Sequence, residues 1–111
     1  DDEYFNNGYS SFTLEENLKY FKEFLEGDSI YPSFRIVGLN RKCIHILGCL
    51  LDSENNICTV YETVLGHIDM NLRKIVEMDD SFFNSITSLK HSHDNLGSIP
   101  FDLRLAVKES V

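Results

Sequence analysis

The 111-residue sequence has no cluster of basic residues and no apolar run near the roughly 20 residues of a membrane span. It also has no Cys-x-x-Cys pair and no glycine-rich phosphate loop. Each absence excludes something. With 18 acidic against 10 basic residues and a net charge of -8, the chain is repelled by phosphate backbones and by anionic membrane surfaces. Neither a nucleic acid nor a membrane is expected as a partner. Cys43 and Cys49, on one face of one extended run, lie roughly 20 Å apart at about 3.3 Å per residue, far beyond disulfide reach. Three free thiols then suit a reducing, cytoplasmic setting. There is no internal repeat, no low-complexity segment and no linker, so residues 1–111 read as one domain.

What is present is concentrated between Lys42 and Asp69. Lys42–Leu51 is apolar on both faces, as a central sheet strand is, and Ile57–Asp69 is rich in β-branched and aromatic residues. Asp52-Ser-Glu-Asn-Asn56 between them has the chemistry of a hairpin loop. Inside these strands sit His45, Glu62, His67 and Asp69, polar groups that a purely structural hairpin does not need.

Elsewhere the pattern is mixed. Residues 1–10 read as polar loop, with Asn6-Asn-Gly8 as a turn signal. Ser29–Gly38 alternates, with Ile30, Phe34 and Ile36 on one face, and Pro32 places that strand at an edge or at a bulge. Ser11–Gly27 fits two periods. Leu14, Leu18, Phe21 and Leu25 form a helical stripe capped by Thr13 and Gly27; Phe12, Leu14, Leu18 and Tyr20 form one face of a strand. Local propensity favours the helix. Met70–Met78 shows no clean period. Asp79 or Asp80 caps a helix with Phe82, Phe83, Ile86 and Leu89 on one face, ending near Lys90–His93, and Pro100–Val111 reads as a last short helix. Four neighbouring strands and then a helix make an α+β plan with a mostly antiparallel sheet.

Four stretches in this order resemble the hot-dog fold acyl-CoA thioesterases of the 4-hydroxybenzoyl-CoA thioesterase-like group, in the branch associated with carnitine dehydrogenases. They are Phe12-Thr-Leu-Glu15 with Asn17-Leu-Lys-Tyr20, Glu26-Gly-Asp-Ser-Ile30, Gly38-Leu-Asn-Arg-Lys-Cys-Ile-His45, and Glu62-Thr-Val-Leu-Gly-His-Ile-Asp69. The resemblance covers roughly residues 9–90. It implies a strand over residues 11–20 followed by a helical turn at Phe21–Glu26, against the local propensity. It also implies a long central helix and an early strand that this sequence does not contain, about 40 to 50 residues by ordinary domain size. Without them a large apolar patch on the sheet is expected to stand uncovered, unless a longer protein or a neighbouring chain covers it.

The activity implied is hydrolysis of a small or medium acyl-CoA by a homodimer or higher oligomer, with no cofactor beyond the coenzyme A of the substrate. A non-catalytic module that binds acyl-CoA or only dimerises fits the same strand motifs. A third reading is an unrelated α+β interaction domain in which residues 13–26 are helical.

Thioester hydrolysis needs an activated water or a carboxylate nucleophile, and donors for the developing oxyanion. In the resembled family the carboxylate lies near the central helix, upstream of anything in this sequence. The best carboxylates present are Glu15 and Glu62. Glu62 shares a strand face with Val60, Val64 and Ile68, where burial raises a carboxyl pKa; its structural reading is a hydrogen bond to a cross-strand partner such as His45. Glu15 either lines a cleft or is a solvated strand residue. Asn17, His45 and His67 are the candidate substrate-binding groups, and Arg41 and Lys42 the candidate contacts to coenzyme A phosphates. No metal site is expected: His67 and Asp69 share a face, but His91 and His93 diverge at a helix end. The cysteines sit in apolar strands, where a thiolate nucleophile is disfavoured.

Overall fold

The computed structural model describes residues 8–24, 27–96, 105 and 107. Its elements run β1 (Tyr9–Tyr20), β2 (Tyr31–Leu39), β3 (Cys43–Leu51), β4 (Ile57–Asp69), a two-residue β5 (Lys74–Ile75) and α1 (Asp80–Asp94). The sheet has the order β1-β4-β3-β2, with every neighbour antiparallel and β5 pairing the end of β4. This is the expected α+β architecture.

The β3–β4 hairpin forms the centre. Its loop is organised by Asp52, whose Oδ1 accepts the amides of Glu54 and Asn56 at 2.9 Å each. Asn55 takes the left-handed conformation (φ 64°), which asparagine tolerates. Lys22, just past β1, donates to Asp52 Oδ2 at 2.8 Å and ties the first strand to this loop. Farther up the hairpin Tyr61 lies across Gly48, where any Cβ would collide with its ring.

β1 is a strand, so tertiary pairing overrides the helical stripe that its own sequence carries. A bulge breaks its expected single apolar face. Thr13 pairs Leu65 and Glu15 pairs Val64, leaving Leu14 as the extra residue. Phe12, Glu15 and Asn17 therefore lie on one face, opposite Gly66, Val64 and Glu62, while Glu16 and Leu18 lie on the other. The helical turn expected at Phe21–Glu26 is not there over Phe21–Phe24: the amides of Phe21 and Lys22 both donate to the Cys58 carbonyl instead, and the chain bends at Lys22. Residues 25 and 26 lie outside the described residues, as do residues 1–7.

β2 is an edge strand of the sheet, as Pro32 requires, but its irregularity falls at Val37. Phe34 and Ile36 share a face as expected. Met70–Met78 resolves into a tight turn and β5. Asp69 Oδ1 accepts the amides of Asn71 (2.8 Å) and Leu72 (3.0 Å), and Arg73 takes a left-handed φ of 55°. α1 starts at its predicted cap, with Asp79 Oδ1 accepting the Phe82 amide at 2.8 Å, and runs to Asp94. It packs on β2 and has no fully buried residue. The short helix expected over Pro100–Val111 lies outside the described residues apart from Leu105 and Val107, which belong to no element.

Among the described residues the buried apolar ones are Ile36, Leu39, Leu47, Cys58, Val60, Val64, Ile68 and Met78, so the core follows β2, β3 and β4. Around it large apolar side chains stand in solvent, among them Phe12 (51% exposed) and Leu14 (45%).

Candidate active site

The cross-strand register brings Asn17, His45 and Glu62 together on one sheet face. Asn17 lies directly opposite Glu62, and His45 pairs with Val64, one place along the same face. Glu62 is 2% exposed and His45 3%, among the most deeply placed polar groups of the hairpin. Asn17 Nδ2 donates to Glu62 Oε2 at 3.1 Å. His45 Nε2 sits 3.2 Å from Glu62 Oε1, which also accepts the Leu105 amide at 3.3 Å. A buried carboxylate is costly unless its lone pairs are met; here side chains of β1 and β3 and the Leu105 amide meet them. Glu15 lies on the same face as this cluster, exposed, opposite Val64.

His67 is elsewhere. It belongs to the opposite parity of β4, so it faces away from His45 and Glu62, and the two histidines do not form one site. It is buried between Tyr9 (ring centroids 4.8 Å) and Phe82 of α1 (5.7 Å, stacked). Burial pushes its pKa down, against the opposing pull of Asp79 and Asp69.

Arg41 is engaged with α1. Its Nη1 lies 2.8 Å from Asp80 Oδ1 and 3.2 Å from the Met78 carbonyl, and its guanidinium stacks 4.3 Å over the Phe83 ring. Lys42 is exposed, and its amide donates to Asn40 Oδ1. Burial pushes the Cys43 and Cys49 thiols up, away from thiolate chemistry. No group of three or more metal-ligating side chains occurs among the described residues; His93 instead accepts the Ile36 amide at Nδ1 (2.8 Å).

Sequence reasoning passed over one feature. On the same face as Glu62, farther along β4, Phe12, Leu14, Ile68, Met70 and Ile75 line an open hollow of about 250 Å³ together with Arg73 and Lys74. The signal available was an adjacent pair of cations after a strand, in an acidic chain.

The fold is shared with solved structures. A Staphylococcus aureus protein determined in complex with CoA superposes with a TM-score of 0.81 at 24% identity, over 99% of this chain and 68% of that one. A DHNA-CoA thioesterase from the same organism gives 0.75 at 16% identity, over 88% and 67%. The L-carnitine dehydrogenase/betainyl-CoA thioesterase of a Rhizobium species is 21% identical over 95 residues. Those residues are 85% of this chain but 19% of that protein, so the chain spans about a fifth of this relative's length. No helix among the described residues is long and apolar enough to cross a membrane. The sheet and its helix have the hot-dog arrangement of thioesterases, and the pattern of the thioesterase-like superfamily matches residues 1–86: the chain belongs to that superfamily.

Proposed function

We propose that the chain is the acyl-CoA thioesterase domain, or the C-terminal portion of one, of a cytoplasmic protein, hydrolysing the thioester of a small or medium acyl-CoA. The observation that carries this reading, beside superfamily membership, is the buried Glu62–His45 pair with the half-buried Asn17 beside it, which an apolar hairpin has no structural need to contain. In the reaction water adds to the thioester carbonyl, the carbon–sulfur bond breaks, and the thiolate of coenzyme A leaves and takes up a proton. Glu15 is the carboxylate on this face with solvent access, suited to remove the proton of the attacking water. Glu62 has both oxygens engaged and fixes the Asn17 amide and the His45 ring. No cofactor is needed beyond the coenzyme A of the substrate. Relatives that carry CoA or act on CoA esters support that substrate class, and the carnitine-dehydrogenase relative supports the branch. The long outer edge of β1 pairs with no strand among the described residues and suits a homodimer or higher oligomer.

A second reading, a non-catalytic module that binds acyl-CoA or dimerises, is favoured by the completeness of the Glu62 hydrogen bonds. Release of coenzyme A from short, medium and aromatic acyl-CoAs, followed by chromatography because three cysteines would consume a thiol dye, separates the two. Turnover that falls sharply in Glu15→Gln and Glu62→Gln supports the enzyme. A folded protein without turnover, alone and within its full-length gene product, leaves the module.

A further inference from the structure

Resting on the acyl-CoA thioesterase reading, we propose that Leu105 and Val107, past the end of α1, are positioning residues of the site: Leu105 fixes the Glu62 carboxylate and Val107 the His45 ring. Three observations carry this. First, the Leu105 amide donates to Glu62 Oε1 at 3.3 Å, the same oxygen that His45 Nε2 approaches at 3.2 Å. Glu62 Oε2 accepts from Asn17. The two oxygens turn together as one planar group, so a donor that fixes Oε1 also fixes the direction in which Oε2 meets the Asn17 amide. Glu62 and His45 are buried, so protein groups rather than solvent set their alignment. A backbone donor suits this task, because it has no χ rotamers of its own to settle among.

Second, the bulge of β2 at Val37 sets Gly38 opposite His45. A Cβ at Gly38 would stand 3.1 Å from the His45 Cβ, 3.4 Å from its Nδ1 and 3.5 Å from the Val107 Cβ. His45 and Val107 therefore border the same opening, which the glycine leaves. The ring turns its Nδ1 side to that opening and its Nε2 to Glu62. Packing at one end and a hydrogen bond at the other select one orientation. Third, α1 cannot fill this role. It lies against the opposite face, where Phe82 stacks on His67 and His93 meets the Phe34 ring edge-on. Its end is fastened at the edge of β2: His93 Nδ1 accepts the Ile36 amide, and the His93 carbonyl accepts from Arg35 Nη1 at 3.5 Å. Past that end, Leu105 stands on the face of Glu62. The chain thus serves both faces of the sheet, one with a helix and one with the half-buried Leu105 and Val107.

Two measurements on the full chain test this. Leu105→Pro deletes the amide donor and keeps an apolar side chain, whereas Leu105→Ala keeps the donor and trims the side chain. In coenzyme A release from acyl-CoA, Leu105→Pro is expected to lower kcat about tenfold or more while KM moves less than about twofold, as lost orientation does. Leu105→Ala is expected to recover kcat to within about threefold of the wild type. Equal kcat in the two variants, or a faster Leu105→Pro, overturns the proposal; the second result would make this stretch an obstruction of the site. The other measurement needs no turnover. In protein labelled with 15N in its histidine rings, Leu105→Pro and Val107→Ala are each expected to shift the His45 Nε2 signal, assigned by its loss in His45→Gln. The His67 signal, from the opposite face, is expected to stay in place. An unmoved His45 signal, or His45 and His67 shifting alike, overturns the proposal, and Val107→Ala decides by this signal alone should Leu105→Pro not fold. A shifted His45 signal in a protein without turnover sinks the enzyme and leaves the positioning role. Turnover indifferent to Leu105→Pro does the reverse.

Discussion

His45 reaches Glu62 diagonally: its register partner is Val64, and its ring leans along the strand to place Nε2 3.2 Å from the Glu62 carboxylate. Glu62→Ala removes the acceptor and leaves Asn17 Nδ2 and His45 Nε2 buried without it. The expected loss is about 1–3 kcal/mol in urea unfolding. In a double-mutant cycle with His45→Ala the two losses are expected to be non-additive by about 0.5 kcal/mol or more; additive losses would mean that the contact is not energetically coupled.

Gly48 is where Tyr61 crosses the hairpin. Gly48→Ala is expected to cost about 1–3 kcal/mol by overpacking, read from the thermal midpoint. The same substitution in a Tyr61→Ala background is expected to cost far less, since the ring it strikes is gone. An equal cost in both backgrounds would show that the backbone, not the ring, demands glycine.

Two groups give stability a pH dependence with the same sign. The Lys22 ammonium and the Asn56 and Glu54 amides hold the Asp52 carboxyl well below the usual carboxylate range. Its contribution is present above the unfolded value of about 3.9 and is lost as pH falls through the folded value. His67, depressed by burial, contributes fully above its unfolded value of about 6.5, and that contribution is lost as pH falls through the lower folded value. His67→Phe is therefore expected to flatten the stability profile just below pH 6.5 while leaving the steeper loss below pH 4. An unchanged slope in the variant would remove His67 as its source.

Lys22 titrates in the other direction. Its pKa is raised, chiefly by the hydrogen bond to Asp52, so its contribution is present below about 10.4 and is lost as pH rises through the folded value. Lys22→Met is expected to remove this alkaline loss and part of the acid loss together. A variant that alters one limb alone would mean that the pair does not act as a unit.

α1 has no buried residue and is fastened at its start by Arg41 and near its end by His93. Arg41→Ala is expected to speed hydrogen exchange of the α1 amides without a matching change in β3 and β4. A uniform acceleration across the molecule would make α1 part of the global folding unit.

The β3–β4 hairpin was legible because every local signal agreed: β-branched runs, a polar loop and alternation that survives burial on both faces. The contact of Glu62 with His45 was legible too, since neighbouring strands leave a buried carboxylate few other partners. β1 was not, because its apolar spacing satisfies a helix, and nothing local marks Leu14 as the residue left out of the ladder. That bulge inverts the parity of everything after it, which is how Asn17 comes to face Glu62. His45 and His67 looked like a pair for a related reason. Whether residues on two strands share a face depends on register, and register depends on loop length and on the bulge at Cys58. Arg73 and Lys74 lay in a stretch with no period to read.

The two ends of the sheet are unlike. On β2 the outward amide of Ile36 is taken by the His93 ring, and α1 lies along that strand. On β1 a 12-residue edge stands open among the described residues. A strand added to this sheet would find its template on the β1 side, where the backbone groups are not already taken among the described residues.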